Sequence, residues 1–112
     1  MKAVRTLEEV LQHYFESDDV HSRELPTVQY VTGRLNISPK YLSSLLRIHT
    51  GRNTQQHIHD TLIAKAKEKL MSTNLSVSEI AYSLGFEHLP SFSKLFKAKT
   101  HVSPVRFRES FG

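Results

Sequence analysis

Basic side chains recur in two groups along the chain: Arg34, Lys40, Arg47 and Arg52 in one, and Lys94, Lys97, Lys99, Arg106 and Arg108 in the other. Serine hydroxyls stand among them at Ser43, Ser44 and Ser91. A lysine or arginine can pair with a phosphate or donate to O6 and N7 of guanine, whereas a serine bonds bases or phosphates with little discrimination. The chemistry on offer is binding of a polyanion. Roughly half of these cations are expected to be ordinary solvated charges, as on any basic domain. Lys65, Lys67 and Lys69 alternate around a helical stretch, form no stripe, and are assigned to that solvated class.

Other chemistries find little support. The 112 residues carry a net charge of +4 and no cysteine, which removes disulfides, thiol nucleophiles and Cys-based zinc sites and fits a reducing cytoplasm. Of the 7 histidines, His57 and His59 are too close in sequence to share a helix face, and no pair has metal-site spacing, so no metal or other cofactor is expected. No glycine-rich phosphate loop or catalytic carboxylate pair is evident, so no catalytic residue is assigned and the chain does not read as an enzyme. No apolar run approaches a membrane span, and Met1 to Leu11 lacks the pattern of a signal peptide. With 38% hydrophobic residues a modest core is available.

The polar residues need helices to position them. Thr6 to Glu9 reads as a capping box opening a helix over Leu7–Ser17, followed by a polar loop from Asp18 to Leu25 and a helix start favoured by Pro26. Val28, Val31 and Leu35 form a short apolar stripe that ends at Asn36, a residue tolerant of a left-handed turn. Ser38-Pro39 then starts a helix that buries Leu42, Leu45 and Leu46 and closes at Gly51. Thr54 is expected to cap a longer helix, with Ile58, Leu62, Ile63, Ala66 and Leu70 on one face and Asn74 as terminator. Ser76 to Glu79 is a second capping box, before Ile80, Ala81 and Leu84. Gly85 turns the chain into a helix holding Phe92, Leu95 and Phe96, and Ser103-Pro104 opens a last helix with Phe107 and Phe111. Nothing alternates with period two for long, so the expected class is all-α, with about seven helices.

The chain also repeats itself. Val28, Val31, Thr32, Leu35, Asn36 and Ile37 match Val77, Ile80, Ala81, Leu84, Gly85 and Phe86 at a shift of 49. Leu42, Ser44, Leu45, Leu46, Arg47 and Thr50 match Phe92, Lys94, Leu95, Phe96, Lys97 and Thr100 at a shift of 50, so the second copy has one more residue in or after its turn. Each copy reads as helix, tight turn, helix. A small residue (Thr32 or Ala81) lies where the helices approach, and an apolar one (Ile37 or Phe86) anchors the turn. These are the mechanics of a helix-turn-helix, whose second helix keeps its outer face free for DNA. Helical spacing assigns Phe86, Phe92, Phe96 and Phe107 to the core and not to base stacking.

From Pro26 to Phe107 the sequence resembles the DNA-binding domain of the AraC/XylS family of bacterial transcription regulators. The resemblance is carried by Ser78-Glu79-Ile80-Ala81, Leu84-Gly85-Phe86, Ser91 to Lys97, and Ser103-Pro104 with Phe107; Ile37 to Ser43 and Thr50-Gly51 fit the first unit. It implies sequence-specific binding to double-stranded promoter DNA, two recognition helices in successive major grooves, and RNA polymerase as a partner, with activation the commoner outcome. It implies DNA contacts from Pro39, Lys40, Tyr41, Ser43, Ser44 and Arg47 in the first recognition helix. In the second it implies His88, Leu89, Pro90, Ser91, Lys94 and Lys97. Leu89 and Pro90, where other members often carry Gln or Arg, would meet only apolar surface such as a thymine methyl. The Gly that commonly follows Thr100 in the family is His101 here, which leads to the expectation of an altered turn.

The expected organisation is an N-terminal helix and loop (1–25), a first helix-turn-helix (26–53), a linker helix (54–74), and a second helix-turn-helix with a closing helix (75–112). Of the two units the second is expected to have the better caps. One monomer suffices for both grooves. A dimer would arise through a sensor domain of a longer regulator, of which this chain is expected to be the C-terminal piece.

Overall fold

The computed structural model describes residues 2–16 and 24–111. These residues form seven helices: α1 (Lys2–Glu16), α2 (Val28–Leu35), α3 (Pro39–Thr50), α4 (Thr54–Ser72), α5 (Val77–Ser83), α6 (Leu89–Thr100) and α7 (Pro104–Glu109). No strand occurs among the described residues. The repeat is realised in register: α2 and α5 begin at Val28 and Val77, and α3 and α6 at Pro39 and Leu89.

Most helix ends follow the local chemistry of their residues. Ser38, Ser76 and Ser103 accept hydrogen bonds from the backbone N–H groups of Tyr41, Glu79 and Arg106. Glu79 completes its capping box by accepting from the Ser76 N–H, and these bonds hold its carboxyl below the ordinary carboxylate range. Asn36 and Gly51 close α2 and α3 in the left-handed conformation, at φ 58° and 77°.

Four local expectations are corrected. α1 begins at Lys2, so Thr6 is an interior residue whose hydroxyl donates to the Lys2 carbonyl at 2.9 Å, and the capping box proposed there does not form. Ser17 and residues 18–23 of the expected loop lie outside the described residues. Asn53, not Thr54, caps α4, in a reciprocal box with Gln56; Thr54 is the first helical residue, buried, its hydroxyl without a hydrogen-bond partner. α4 ends at Ser72 with Thr73 as cap, before Asn74 is reached. Finally, His101 closes α6 at φ 68°, ψ 6°, nearly the geometry of Gly51 (φ 77°, ψ 4°), so the turn is unchanged despite the missing glycine.

The buried side chains form one continuous cluster, running from Leu7 and Leu11 of α1 through Val31, Leu42 and Leu46 to Ile80, Ala81, Phe92 and Phe96. α4 supplies Ile58, Leu62, Ile63, Ala66 and Leu70 to it and packs against each of the other helices. α1 packs on α2, α3 and α4, so the first unit is a bundle of its own built around the shared α4. The second unit is aromatic: Phe86, Phe92, Phe96 and Phe107 follow one another with ring centroids 5.3 to 5.8 Å apart. Phe111 lies beyond α7 and is 61% exposed, at the open end of that series.

Gly85 does more than turn the chain. At φ 103° it occupies space that only glycine uses readily, and a Cβ built there would lie 2.4 Å from the carbonyl carbon of Glu24. The turn of the second unit is thus seated on the segment that leads into the first. The Glu24 carbonyl in turn accepts a hydrogen bond from the Tyr14 hydroxyl of α1.

Candidate nucleic-acid interface

α3 starts cleanly, with Ser38 as cap and Pro39 in its first turn, and buries Leu42 and Leu46. Its opposite side exposes Pro39, Lys40, Tyr41, Ser44 and Arg47, with Ser43 half-buried at the edge. The predicted set therefore lies largely on one solvent-facing side of one helix. α6 repeats the arrangement. Phe92 and Phe96 face inward, while His88, Pro90, Ser91, Lys94 and Lys97 are exposed. Leu89 is half-buried and packs against the core, so only part of its surface remains for a ligand.

The expected ranking of caps is reversed for these two helices. The α5 capping box is sound, but α6 is preceded by His88, which makes no side-chain capping bond. The first recognition helix is the better capped of the pair.

The structure sorts the cations. Arg34, Lys40, Arg47, Lys94, Lys97 and Arg106 are exposed. Arg108 instead donates to the carbonyls of Leu70 and Thr73, at 3.0 and 3.3 Å, closing the C-terminal end of α4. Arg52 forks onto Asp60, with Nε and Nη2 at 3.0 and 2.8 Å, and Lys99 approaches the same carboxylate at 3.7 Å. These three candidates serve the fold. Lys67 lies over the Phe107 ring at 5.8 Å, which gives that side chain a structural partner as well. Beside Asp60, His59 is held below its ordinary pKa, chiefly by burial and next by Lys99, with Asp60 opposing.

Two positions on the outer faces are absent from the predicted set. Ile48 is 79% exposed on α3, beside Arg47 and two residues past Leu46, off the buried Leu42/Leu46 stripe, so helical spacing places it on the outer side although its residue type suggests core. Ser93 is half-buried on α6 and is the repeat partner of Ser43 at the shift that pairs Ser44 with Lys94, a signal already present in the repeat. No group of three or more His, Cys, Asp or Glu suited to a metal occurs among the described residues. No described helix is long and apolar enough to cross a membrane.

The family model described as a helix-turn-helix domain matches residues 31–110, from within α2 through α7. The chain belongs to the AraC/XylS family of DNA-binding domains. Among its relatives, the raffinose operon transcriptional regulatory protein RafR of Pediococcus pentosaceus is 33% identical over 86 residues, which is 77% of this chain and 31% of that protein. The chain spans about a third of the length of curated relatives it matches. The C-terminal domain of AraT, a response regulator from Geobacillus stearothermophilus, superposes with a TM-score of 0.78 at 31% identity, covering 98% of this chain and 86% of that one. The DNA-binding domain of AdpA, a global transcriptional factor solved in complex with a target DNA, shares the fold with a TM-score of 0.75 at 24% identity, over 95% of this chain and 92% of that one.

Proposed function

We propose that this chain binds double-stranded promoter DNA sequence-specifically as a monomer, with α3 and α6 in successive major grooves. It serves as the DNA-binding part of a cytoplasmic bacterial transcription activator that works with RNA polymerase. The observation that carries this reading is the duplication of one device. α3 and α6 have equal length, lie 50 residues apart, bury an apolar side against the same α4, and turn a basic, hydroxyl-bearing side to solvent. The longest dimension of the chain, 41 Å, accommodates two sites separated by one turn of B-DNA, about 34 Å. α4 alone runs about 28 Å at 1.5 Å per residue. In this reading Lys40, Arg47, Lys94 and Lys97 supply phosphate and guanine contacts, and Pro39, Tyr41, Ser43, Ser44, His88, Leu89, Pro90 and Ser91 complete the two surfaces. With few side chains able to make bidentate base contacts, DNA shape carries part of the specificity.

The test is a gel-shift with salt titration on duplexes recovered from a randomised library, followed by a footprint. Affinity is expected to fall steeply with salt, and protection to appear in two segments about one helical turn apart. Lys94→Ala is expected to weaken binding about tenfold, while Lys67→Ala costs about twofold or less. Equal losses at both positions, or no binding at low salt, would overturn the reading.

A further inference from the structure

Two ion pairs that share one carboxylate lie at the C-terminal ends of the two recognition helices. Arg52 directly follows Gly51, the left-handed residue that ends α3, and grips Asp60 of α4 through two hydrogen bonds at 2.8 and 3.0 Å. Lys99 lies in the last turn of α6 and reaches the same carboxylate at 3.7 Å. One carboxylate on the shared helix therefore holds a cation from the end of each recognition helix. The repeat does not generate this arrangement, since Lys99 corresponds to His49 and Arg52 to Val102.

We infer that Asp60 is a positioning residue that sets the spacing and phase at which the two recognition helices meet DNA. The inference rests on the two-groove reading above. The buried core joins both units to α4, and the C-terminal ends of α3 and α6 are held additionally at Asp60. An extra base pair between two sites displaces one by about 3.4 Å and rotates it by about 35° around the duplex. A domain whose helix ends are pinned follows such a change poorly, whereas one released at Asp60 follows it more readily. Side-chain exposures of 38%, 45% and 27% for Arg52, Asp60 and Lys99 leave the cluster open to water, so its effect is modest and weakens with salt.

The experiment uses the full chain and the duplexes recovered in the library selection, remade with the segment between the two protected grooves lengthened or shortened by one base pair. The readout is the ratio of Kd on altered to Kd on original spacing, a quantity that a uniform loss of stability leaves in place. For Asp60→Asn this ratio is expected to shrink by about threefold, the scale of an exposed ion pair. Lys99→Gln should move it in the same direction. Glu68→Gln, which makes the same charge change on α4, should leave it as in the wild type. An unchanged ratio for Asp60→Asn, or an equal shrinkage for Glu68→Gln, would overturn the inference while leaving two-groove binding intact. A wild-type chain indifferent to spacing would overturn the two-groove reading itself, and the role of Asp60 with it.

Discussion

Single residues carry several of the constraints. Gly85 answers two of them, a left-handed backbone and the close approach of the Glu24 main chain, so Gly85→Ala must both strain its own φ and displace a neighbouring backbone. A loss of about 2–4 kcal/mol in urea unfolding is expected. Gly33 is the contrasting case. It lies within α2, and the place its Cβ would take has nothing within 4 Å, so Gly33→Ala should raise stability by about 0.5–1 kcal/mol in the same measurement. A sequence pattern alone identifies Gly85 as a turn; it does not show what the turn rests on. His101 shows the opposite limit. The absence of glycine there suggests a different turn, yet the hydrogen bond from the His101 N–H to the Lys97 carbonyl at 2.8 Å holds the left-handed conformation in place.

At the scale of elements, helix starts are the most legible feature, because Ser38-Pro39, Ser76 to Glu79 and Ser103-Pro104 satisfy their own first turns locally. Ser38→Ala should therefore cost about 1 kcal/mol in urea unfolding, by removing the acceptor for the Tyr41 N–H. DNA affinity should fall less than for Lys94→Ala, since Pro39 still favours the helical φ at the start of the recognition helix. Less legible are ends whose neighbours compete. Thr54 and Asn53 are both capping residue types, and only the reciprocal bond from Gln56 and the burial of Thr54 decide between them. Thr6 fits a capping box in sequence, but the helix continues through it because Ala3 and Val4 also pack against the core. The outer faces of α3 and α6 are legible from the repeat, and the exposure of Ile48 follows from its place off the Leu42/Leu46 stripe, although its apolar type points the other way.

At the scale of the whole molecule, packing converts two similar hairpins into one body. His59 reports on that packing, because burial and Lys99 of α6 both disfavour its charged form. The unfolded chain takes up a proton at the ordinary value of 6.5, and the folded chain resists it. The folded state accordingly loses stability as pH falls below that value and regains it above. Thermal melts from about pH 8 to about pH 5 should show this decline, and His59→Gln should make it shallower. By itself the sequence determined the helical class, the duplicated helix-turn-helix, the turns at Asn36, Gly51 and Gly85, and the basic outer faces. Those properties depend on neighbours a few residues apart, where period and residue type are sufficient. Only the tertiary structure decided which cations remain free. Arg52, Lys99 and Arg108 are indistinguishable in sequence from Lys94 or Arg47, and their partners Asp60, Leu70 and Thr73 are brought to them by the packing of helices around α4.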